Sequence, residues 1–383
     1  MSKHKKKISI VSAYDFRGSS APANRLRNFA KILSENEMHI TVLNLTDTSN
    51  NQKNTECANV KIINVKKYST LSPSFLKRFF IEFYNSILLI RTSNKLKCDF
   101  QIISIPYMNL IVASIFSKHR NKTLIDIRDL VWTYLPDGSY FQKFTKNLIT
   151  LLMNNSLKLF PLLSCTNAYE QRYLIDTINK FPELIHNGID LDRFNLVAKT
   201  KNIKNNYRKK VLYVGNVGIA QRLDIFVNIA KKLPHFDFEL VGGGTDFDRV
   251  SRIAAEKKCD NLNIIGEKSA DFVMNSYSSC DILFAQLSNN FQTAIPSKLY
   301  EYLSTGKPIV YSGKGSAIKF LSTFENVRVC ESCDEDKIID AIEFLAKNTS
   351  TNSLKNVEYI KNNFIRDYES AKIINMISKF LVQ

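Results

Sequence analysis

The chain has 383 residues, 44% of them hydrophobic, and carries 53 Lys and Arg against 36 Asp and Glu, a formal net charge of +17. This length exceeds what one core usually covers and calls for two domains. No run of about 18 apolar residues escapes a charge, so no spanning helix is expected. The charge is uneven: residues 1–200 hold 28 Lys and Arg against 15 Asp and Glu, a balance of +13 that leaves +4 for the rest. A basic first half attracts polyanions, either nucleic acid or the anionic leaflet of a membrane, and charge alone does not separate the two.

Residues 1–7 are basic, but the apolar run that follows is short and broken at Asp15 and Arg17, unlike a signal peptide, so they read as a soluble tail. Residues 7–12 then form an apolar, β-branched strand and 24–33 a helix with its apolar face repeating every three to four residues. Further strands are expected at 39–45, 60–65, 100–105, 124–127 and 162–165, with helices between most of them. Two of the helical stretches combine large apolar residues with flanking cations. One runs from Ser74 past Phe79, Phe80 and Tyr84 to Arg91 and Lys95; the other runs from Phe141 to Leu159 with Lys143, Lys146 and Lys158. Each reads equally as a helix lying in a membrane interface or as an amphipathic helix packed on a sheet.

After Phe194 the chain turns polar, and 199–210 is rich in Lys and Asn, as a linker would be. The alternation then restarts with strands at 211–214, 237–241, 262–265, 282–285, 308–311 and 327–330, separated by helices. Strand–helix alternation of this kind specifies parallel, doubly wound α/β sheets, hence two Rossmann-like domains in series. The expected boundaries are 1–195 for the first domain, 196–210 for the linker and 211–364 for the second domain. The last helix, 365–383, is a candidate to pack back on the first domain. The seven cysteines are scattered, and Cys330 and Cys333 lack a second pair or a His cluster to complete a zinc site. A reducing cytoplasm fits that usage.

In open parallel sheets ligands bind beyond the carboxyl ends of the strands, so the loops of the second half carry the chemistry. Gly215-Asn216-Val217-Gly218, followed by Gln221 and Arg222, ends one strand; Gly242-Gly243-Gly244 ends the next. Glycines there let backbone amides approach a phosphate, or simply make tight turns. A third segment runs Pro296-Ser297-Lys298-Leu299-Tyr300-Glu301 to Gly306-Lys307-Pro308. Lys298 and Glu301 stand three residues apart on one helix face, where the ammonium can neutralise a diphosphate and the carboxylate can accept from a ribose diol. The same spacing also suits a surface ion pair.

The segment from Pro296 to Val310 resembles the donor-site signature of family 4 glycosyltransferases, in particular the bacterial enzymes that build O-antigen and capsule repeats. Three other segments are similar to that family. Asn187-Gly188-Ile189-Asp190 with Phe194 looks like its crossover element, and Gly215-Asn216-Val217-Gly218 with Gln221 resembles a loop variant of the O-antigen branch. Arg128-Asp129-Leu130 with Trp132 is similar to an Arg-Asp-Leu-Trp element of the acceptor domain, with Val131 inserted.

The resemblance implies a GT-B fold, two Rossmann-like domains facing across a cleft, and a sugar transferase of the EC 2.4 class that retains configuration. It implies no metal and no cofactor. The base of a nucleotide-diphosphate sugar would lie near Gly243 and Gly266, its diphosphate at Gly215, Asn216, Gly218 and Lys298, and its ribose on Glu301, with Gln221, Thr293 and Ser297 also in the donor site. The family's first glutamate falls at Thr293, and its phosphate-binding Arg and Lys fall at the neutral Asn216 and Gln221. Arg222 or Lys298 is then left to supply the charge. On the acceptor side the resemblance points to Gly18, Ser19, Arg128 and Asp129, with Glu301, Lys298, Arg222 and Asp129 as the residues closest to the chemistry. Arg128 and Asp129 also read as a local salt bridge.

The expected partners are a nucleotide-sugar donor, a lipid-linked or other saccharide acceptor, and an anionic membrane surface met by the basic first domain. That places the protein in the cytoplasm, peripherally bound to the inner face of the membrane. No nucleic acid is expected, although a polyanion-binding protein remains the alternative from another class. A silent, hydrolysing or epimerising GT-B protein remains the nearer one, because Thr293 departs from the pattern.

Overall fold

The computed structural model describes residues 5–18, 21–47, 60–68, 75–105, 107–200, 208–348 and 352–382. The chain divides into two compact units, residues 1–187 with 366–383, and residues 188–365. In the first unit seven strands, β1 (Lys7–Ser12), β2 (His39–Thr46), β3 (Val60–Lys66), β4 (Phe100–Ile105), β5 (Thr123–Ile127), β6 (Leu162–Cys165) and β7 (Glu183–Leu184), form one sheet in the order β3-β2-β1-β4-β5-β6-β7. Every pairing in it is parallel.

The second unit has six strands, β8 (Lys209–Val214), β9 (Phe236–Val241), β10 (Leu262–Ile265), β11 (Ile282–Gln286), β12 (Ile309–Ser312) and β13 (Val327–Cys330), in the order β10-β9-β8-β11-β12-β13. These pairings are parallel as well. Both sheets carry helices on both faces, which is why their strands are apolar on both sides rather than alternating. Along β8, Val211 and Tyr213 enter one core while Leu212 enters the other. In each sheet the strand order reverses beside the first strand, between β1 and β4 and again between β8 and β11. The loops that leave those strands therefore open at the switch point where ligands sit in such folds.

The first unit ends at Asn187 and not at the expected 195. The helix Leu191–Ala198 packs Phe194 and Val197 into the core of the second unit, so apolar burial assigns it there despite the polar sequence beyond it. The expected linker 196–210 shortens accordingly, with helix up to Ala198 and strand from Lys209; residues 201–207 lie outside the described ones.

The helix Arg366–Val382 belongs to the first unit. Ile373 and Ile377 are buried there with Ile8, Ile10 and Leu26, and Phe380 meets Phe100 edge to face with ring centroids 5.4 Å apart. Glu369 ties it down further, accepting from the His186 backbone N–H at 2.8 Å and sharing a 2.9 Å contact with His186 Nδ1. Burial opposes this carboxylate's charge, but the bonds from His186 and Lys372 outweigh it and hold its pKa down at about 2.

The two cation-flanked helices differ. Phe75–Ser93 buries Leu89 and Ile90 in the core. Tyr140–Lys158 buries Met153, Ser156 and Leu157 but leaves Tyr140, Phe141, Phe144, Leu148, Leu151 and Leu152 exposed. Among the described residues no helix is long and apolar enough to cross a membrane. The six described cysteines are free thiols.

Candidate functional site

At the carboxyl end of β8 the chain turns at Gly215 (φ +134°), and at the end of β9 it turns at Gly242 (φ +144°). A Cβ on Gly242 would stand 1.9 Å from the Gly215 carbonyl oxygen, so the two loops touch backbone to backbone and glycine is required there. Their amides close the contact. Gly215 N donates to Val241 O (2.9 Å) and Val217 N to Gly243 O (2.8 Å). Gln221 Oε1 accepts from Gly218 N and from Asn216 Nδ2, each at 3.1 Å. The amides expected to cradle a diphosphate are thus largely committed to the fold, and Asn216 and Gln221 bond each other. Of the four loop amides from Gly215 to Gly218, that of Asn216 is left without an acceptor among the described residues.

The third segment brings a cation to the same loop. The helix Lys298–Ser304 brings Lys298 back under the glycine loop, with Nζ 3.6 Å from the centroid of the Tyr213 ring. A Cβ on Gly215 would lie 3.1 Å from that same nitrogen. Nζ is buried and has no hydrogen-bond acceptor. Burial pushes the ammonium pKa well below the ordinary lysine range. A desolvated cation that meets only an aromatic face is costly unless an anion arrives. Lys298 and Glu301 do not form the surface ion pair that their spacing also allowed.

Glu301 is held from elsewhere. Its Oε1 accepts from Arg193 Nε (3.1 Å), Arg193 Nη2 (2.5 Å) and the Tyr277 hydroxyl (2.9 Å). Burial opposes the Arg193 charge, but the Glu301 carboxylate outweighs it and keeps the guanidinium above its usual range. Oε2 has no partner among the described residues, so one oxygen of Glu301 remains for a ligand. Tyr302, from the same helix, anchors the segment to β8: Val214 N donates to its hydroxyl at 2.7 Å, and the hydroxyl donates to Val214 O at 3.1 Å.

Arg193, Tyr213, Tyr277 and Tyr302 were not singled out from the sequence. Arg193 lies inside the crossover element but at one of its unspecified positions. The tyrosines carry no motif at all, and only their place beside Lys298 and Glu301 reveals them.

The remaining second-unit residues fall into two groups. Arg222, in the left-handed region at φ +45°, has its guanidinium paired with Asp224 through Nε (3.2 Å) and Nη2 (3.1 Å). Its charge is therefore shared with Asp224. Ser297 precedes the helix without capping it, and Thr293 is buried. Gly243 abuts the Glu267 side chain, whereas Gly266 faces open space.

In the first unit the carboxyl ends of β5 and β6 gather a second set. Asp126 is sealed in, accepting from Arg25 Nη2 (2.7 Å) and Nε (3.1 Å) and from the hydroxyls of Ser164 (2.8 Å) and Ser104 (3.3 Å). Burial works against its charge and is outweighed by Arg25, so its pKa is lowered. Two residues on, Arg128 has a buried Nε with no hydrogen-bond acceptor and forms no ion pair among the described residues. Burial first, then repulsion from Arg25, brings its pKa down to about 10.

Asp129 accepts from the Tyr134 hydroxyl, and its charge acts on Arg128 without a close ion pair among the described residues. Trp132 is fully buried, its Nε1 donating to the Tyr173 hydroxyl at 3.2 Å, and so belongs to the core. Gly18 turns the loop after β1, with its carbonyl capped by Arg27 Nη1 at 2.7 Å. Ser19 lies outside the described residues. Glu170 accepts from Thr166 N and Oγ1, while its Oε1 is buried without a partner. Burial, reinforced by Asp129, lifts its pKa to about 8.

Two all-parallel, doubly wound α/β units in one chain are the architecture of the GT-B fold. Residues 197–364 match the family model Glycosyl transferases group 1. Over 138 residues the chain is 25% identical to the O-antigen biosynthesis glycosyltransferase WbnH of Escherichia coli, which covers 35% of this chain and 38% of that relative. The match thus spans well under half the length of the curated protein. Among solved structures, sucrose-phosphate synthase of Thermosynechococcus elongatus superposes with a TM-score of 0.80 at 13% identity over 99% of this chain and 100% of its own. Anabaena Alr3699/HepE, solved in complex with UDP and glucose, gives 0.69 at 12% identity over 98% and 100%. At such identities the structural likenesses speak for the fold.

Proposed function

We propose that this chain is a glycosyltransferase that moves a sugar from a nucleotide-diphosphate donor to a lipid-linked saccharide acceptor in bacterial surface polysaccharide assembly, of the O-antigen or capsule kind. The observation that carries the reading is the Lys298 ammonium, buried over Tyr213 beside Gly215 and without an acceptor. It supplies a preset positive charge where a departing nucleoside diphosphate gains negative charge, and stabilisation of that kind is commonly the largest single catalytic contribution. Glu301 offers its free oxygen to the ribose, and Arg193 with Tyr277 fixes the other so that the carboxylate stays oriented. The transfer proceeds with retention and needs no metal, since Lys298 does the neutralising.

The group 1 family match at 197–364 and the E. coli O-antigen relatives support the reading, as does the UDP and glucose bound to the Anabaena neighbour. The exposed apolar stripe of the helix Tyr140–Lys158 and the +13 charge of residues 1–200 suit peripheral binding at the cytoplasmic face of an anionic membrane.

The test is transfer from labelled nucleotide sugars to membrane-extracted lipid-linked saccharides. Product from one donor class, reduced at least a hundredfold by Glu301→Ala, is the expected result. Release of free sugar with no product would convert the reading to a hydrolase. Failure to bind any donor would overturn it.

A further inference from the structure

The two sheets begin alike at their amino edges, opposite the glycine loops. In the first unit Asp99, just before β4, accepts from Lys7 N at 2.7 Å and donates its own N–H to Lys7 O at 2.8 Å. Lys122, just before β5, donates through Nζ to Cys98 O. The second unit repeats this clasp. Asp281, before β11, accepts from Lys210 N at 2.8 Å and donates to Lys210 O at 2.9 Å, while Lys307, before β12, donates to Cys280 O at 2.6 Å. Since β1, β4 and β5 stand in the same order as β8, β11 and β12, the two clasps occupy equivalent places.

The surrounding charge differs. In the second unit Lys209 pairs with Asp281 at 3.2 Å, Lys210 pairs with Glu239 at 3.3 Å, and Lys307 is only 3% exposed. In the first unit the same edge opens as a cavity of about 280 Å³ whose lining includes Lys7, Lys97, Lys118, Lys122, His119 and Asp99. One oxygen of Asp99 is taken by the Lys7 backbone, and among the described residues none of the four ammonium groups forms an ion pair. Four cations thus share the field of one carboxylate. Burial first, then the charges of Lys122 and Lys118, hold the pKa of His119 below its ordinary value, which marks the cavity as electropositive. Like charges gathered in a concave, low-dielectric site concentrate anions. The volume lies just under the roughly 300–1,000 Å³ of ordinary small-molecule sites, which suits a phosphate or diphosphate and not a whole nucleotide.

We infer that the amino edge of the first sheet is a seat for a phosphoryl group, separate from the donor loops and independent of the transferase reading. Lysines hold phosphate as point charges, so the seat fixes charge and size but not the rest of the molecule. Free diphosphate and the headgroup of an anionic lipid share that chemistry.

The probe is inorganic pyrophosphate, titrated by calorimetry into the full chain carrying Lys298→Met, which removes the donor-side cation. Binding is expected there. Adding Lys97→Ala and Lys118→Ala weakens it about tenfold or more, whereas Lys97→Arg with Lys118→Arg retains it. Both lysines are exposed, so the alanine variant is expected to melt with its parent. Lys347→Ala with Lys361→Ala, which removes the same charge from exposed helix positions of the second unit, leaves binding unchanged. Sedimentation with phosphatidylcholine vesicles containing phosphatidic acid identifies the source: the Lys97 and Lys118 substitutions weaken it for a lipid headgroup and leave it unchanged for free diphosphate. No pyrophosphate binding in the Lys298→Met chain overturns the inference, as does binding that the second-unit pair weakens as much as the Lys97 and Lys118 pair.

Discussion

Each unit of the molecule holds an arginine–carboxylate pair, and beside each pair stands a buried cation with a nitrogen that has no hydrogen-bond acceptor among the described residues. In the first unit the pair is Arg25 with Asp126 and the cation beside it is Arg128; in the second, Arg193 pairs with Glu301 and the cation is Lys298. The pairs differ in access. The side chains of Arg25 and Asp126 are 1% and 0% exposed, whereas those of Arg193 and Glu301 are both 24% exposed. The sealed pair therefore builds the fold, while the open one leaves a carboxylate oxygen facing solvent. Charge that the fold has already satisfied is scaffold, and charge left unsatisfied marks where a ligand belongs.

The largest expected effect breaks the sealed pair. Arg25→Met strands a buried carboxylate and is expected to cost about 3–5 kcal/mol in denaturant unfolding. Arg193→Met, at the open pair, is expected to cost only about 1 kcal/mol, because water reaches Glu301. Equal losses would erase the distinction. Activity should respond in the opposite sense at the buried cation of the second unit. Lys298→Met is expected to lower transfer by about two to three orders of magnitude, in line with loss of one charge-stabilising group. It should leave the melting temperature unchanged or raised.

A smaller effect sharpens the contrast in surface chemistry. Replacing Phe141 and Phe144 with Ser, on the exposed stripe of the helix Tyr140–Lys158, should weaken sedimentation with anionic vesicles about tenfold and leave neutral-vesicle binding negligible. The same change made at the buried Phe226 would unfold the chain instead.

The smallest effect is a pH dependence. Glu170 titrates near 8 in the folded chain against an ordinary 4.5, so the protonated carboxyl is favoured by folding. Its contribution is complete below 4.5 and is lost as pH rises through 8. Glu170→Gln should flatten that decline and make the variant the more stable of the two above pH 8. Glu369, near 2, runs the other way: its contribution is complete above 4.5 and vanishes as pH falls through 2.

Much of the fold was legible because buried parallel strands are continuous apolar runs, and all twelve such runs coincide with strands within a residue or two. The two-residue β7 has no pattern to read. The boundary at Asn187 escaped notice because it is set by where Phe194 and Val197 are buried, not by the polarity that begins after them.

The candidate site was legible only where a local rule applied. Lys298 and Glu301 drew notice by their spacing on one helix, which suited a surface ion pair equally, and were singled out by the resemblance of Pro296 to Val310 to a donor-site signature. The partners that define them, Tyr213, Tyr277 and Arg193, come from other elements, and long-range packing leaves no local trace. Sequence also suggested amide cradling by the loop at Gly215, yet Gly215 N and Val217 N are taken by Val241 and Gly243 and Gly218 N by Gln221, which leaves only Asn216 N among the described residues.

The most direct measurement is calorimetric titration of the purified chain with UDP, GDP, ADP and CMP, repeated on Lys298→Met. Binding of one nucleotide diphosphate in the micromolar range, weakened at least a hundredfold by the substitution, is the expected result. Equal binding by both proteins, or none by either, would contradict the assignment of Lys298 as the diphosphate contact and with it the donor site.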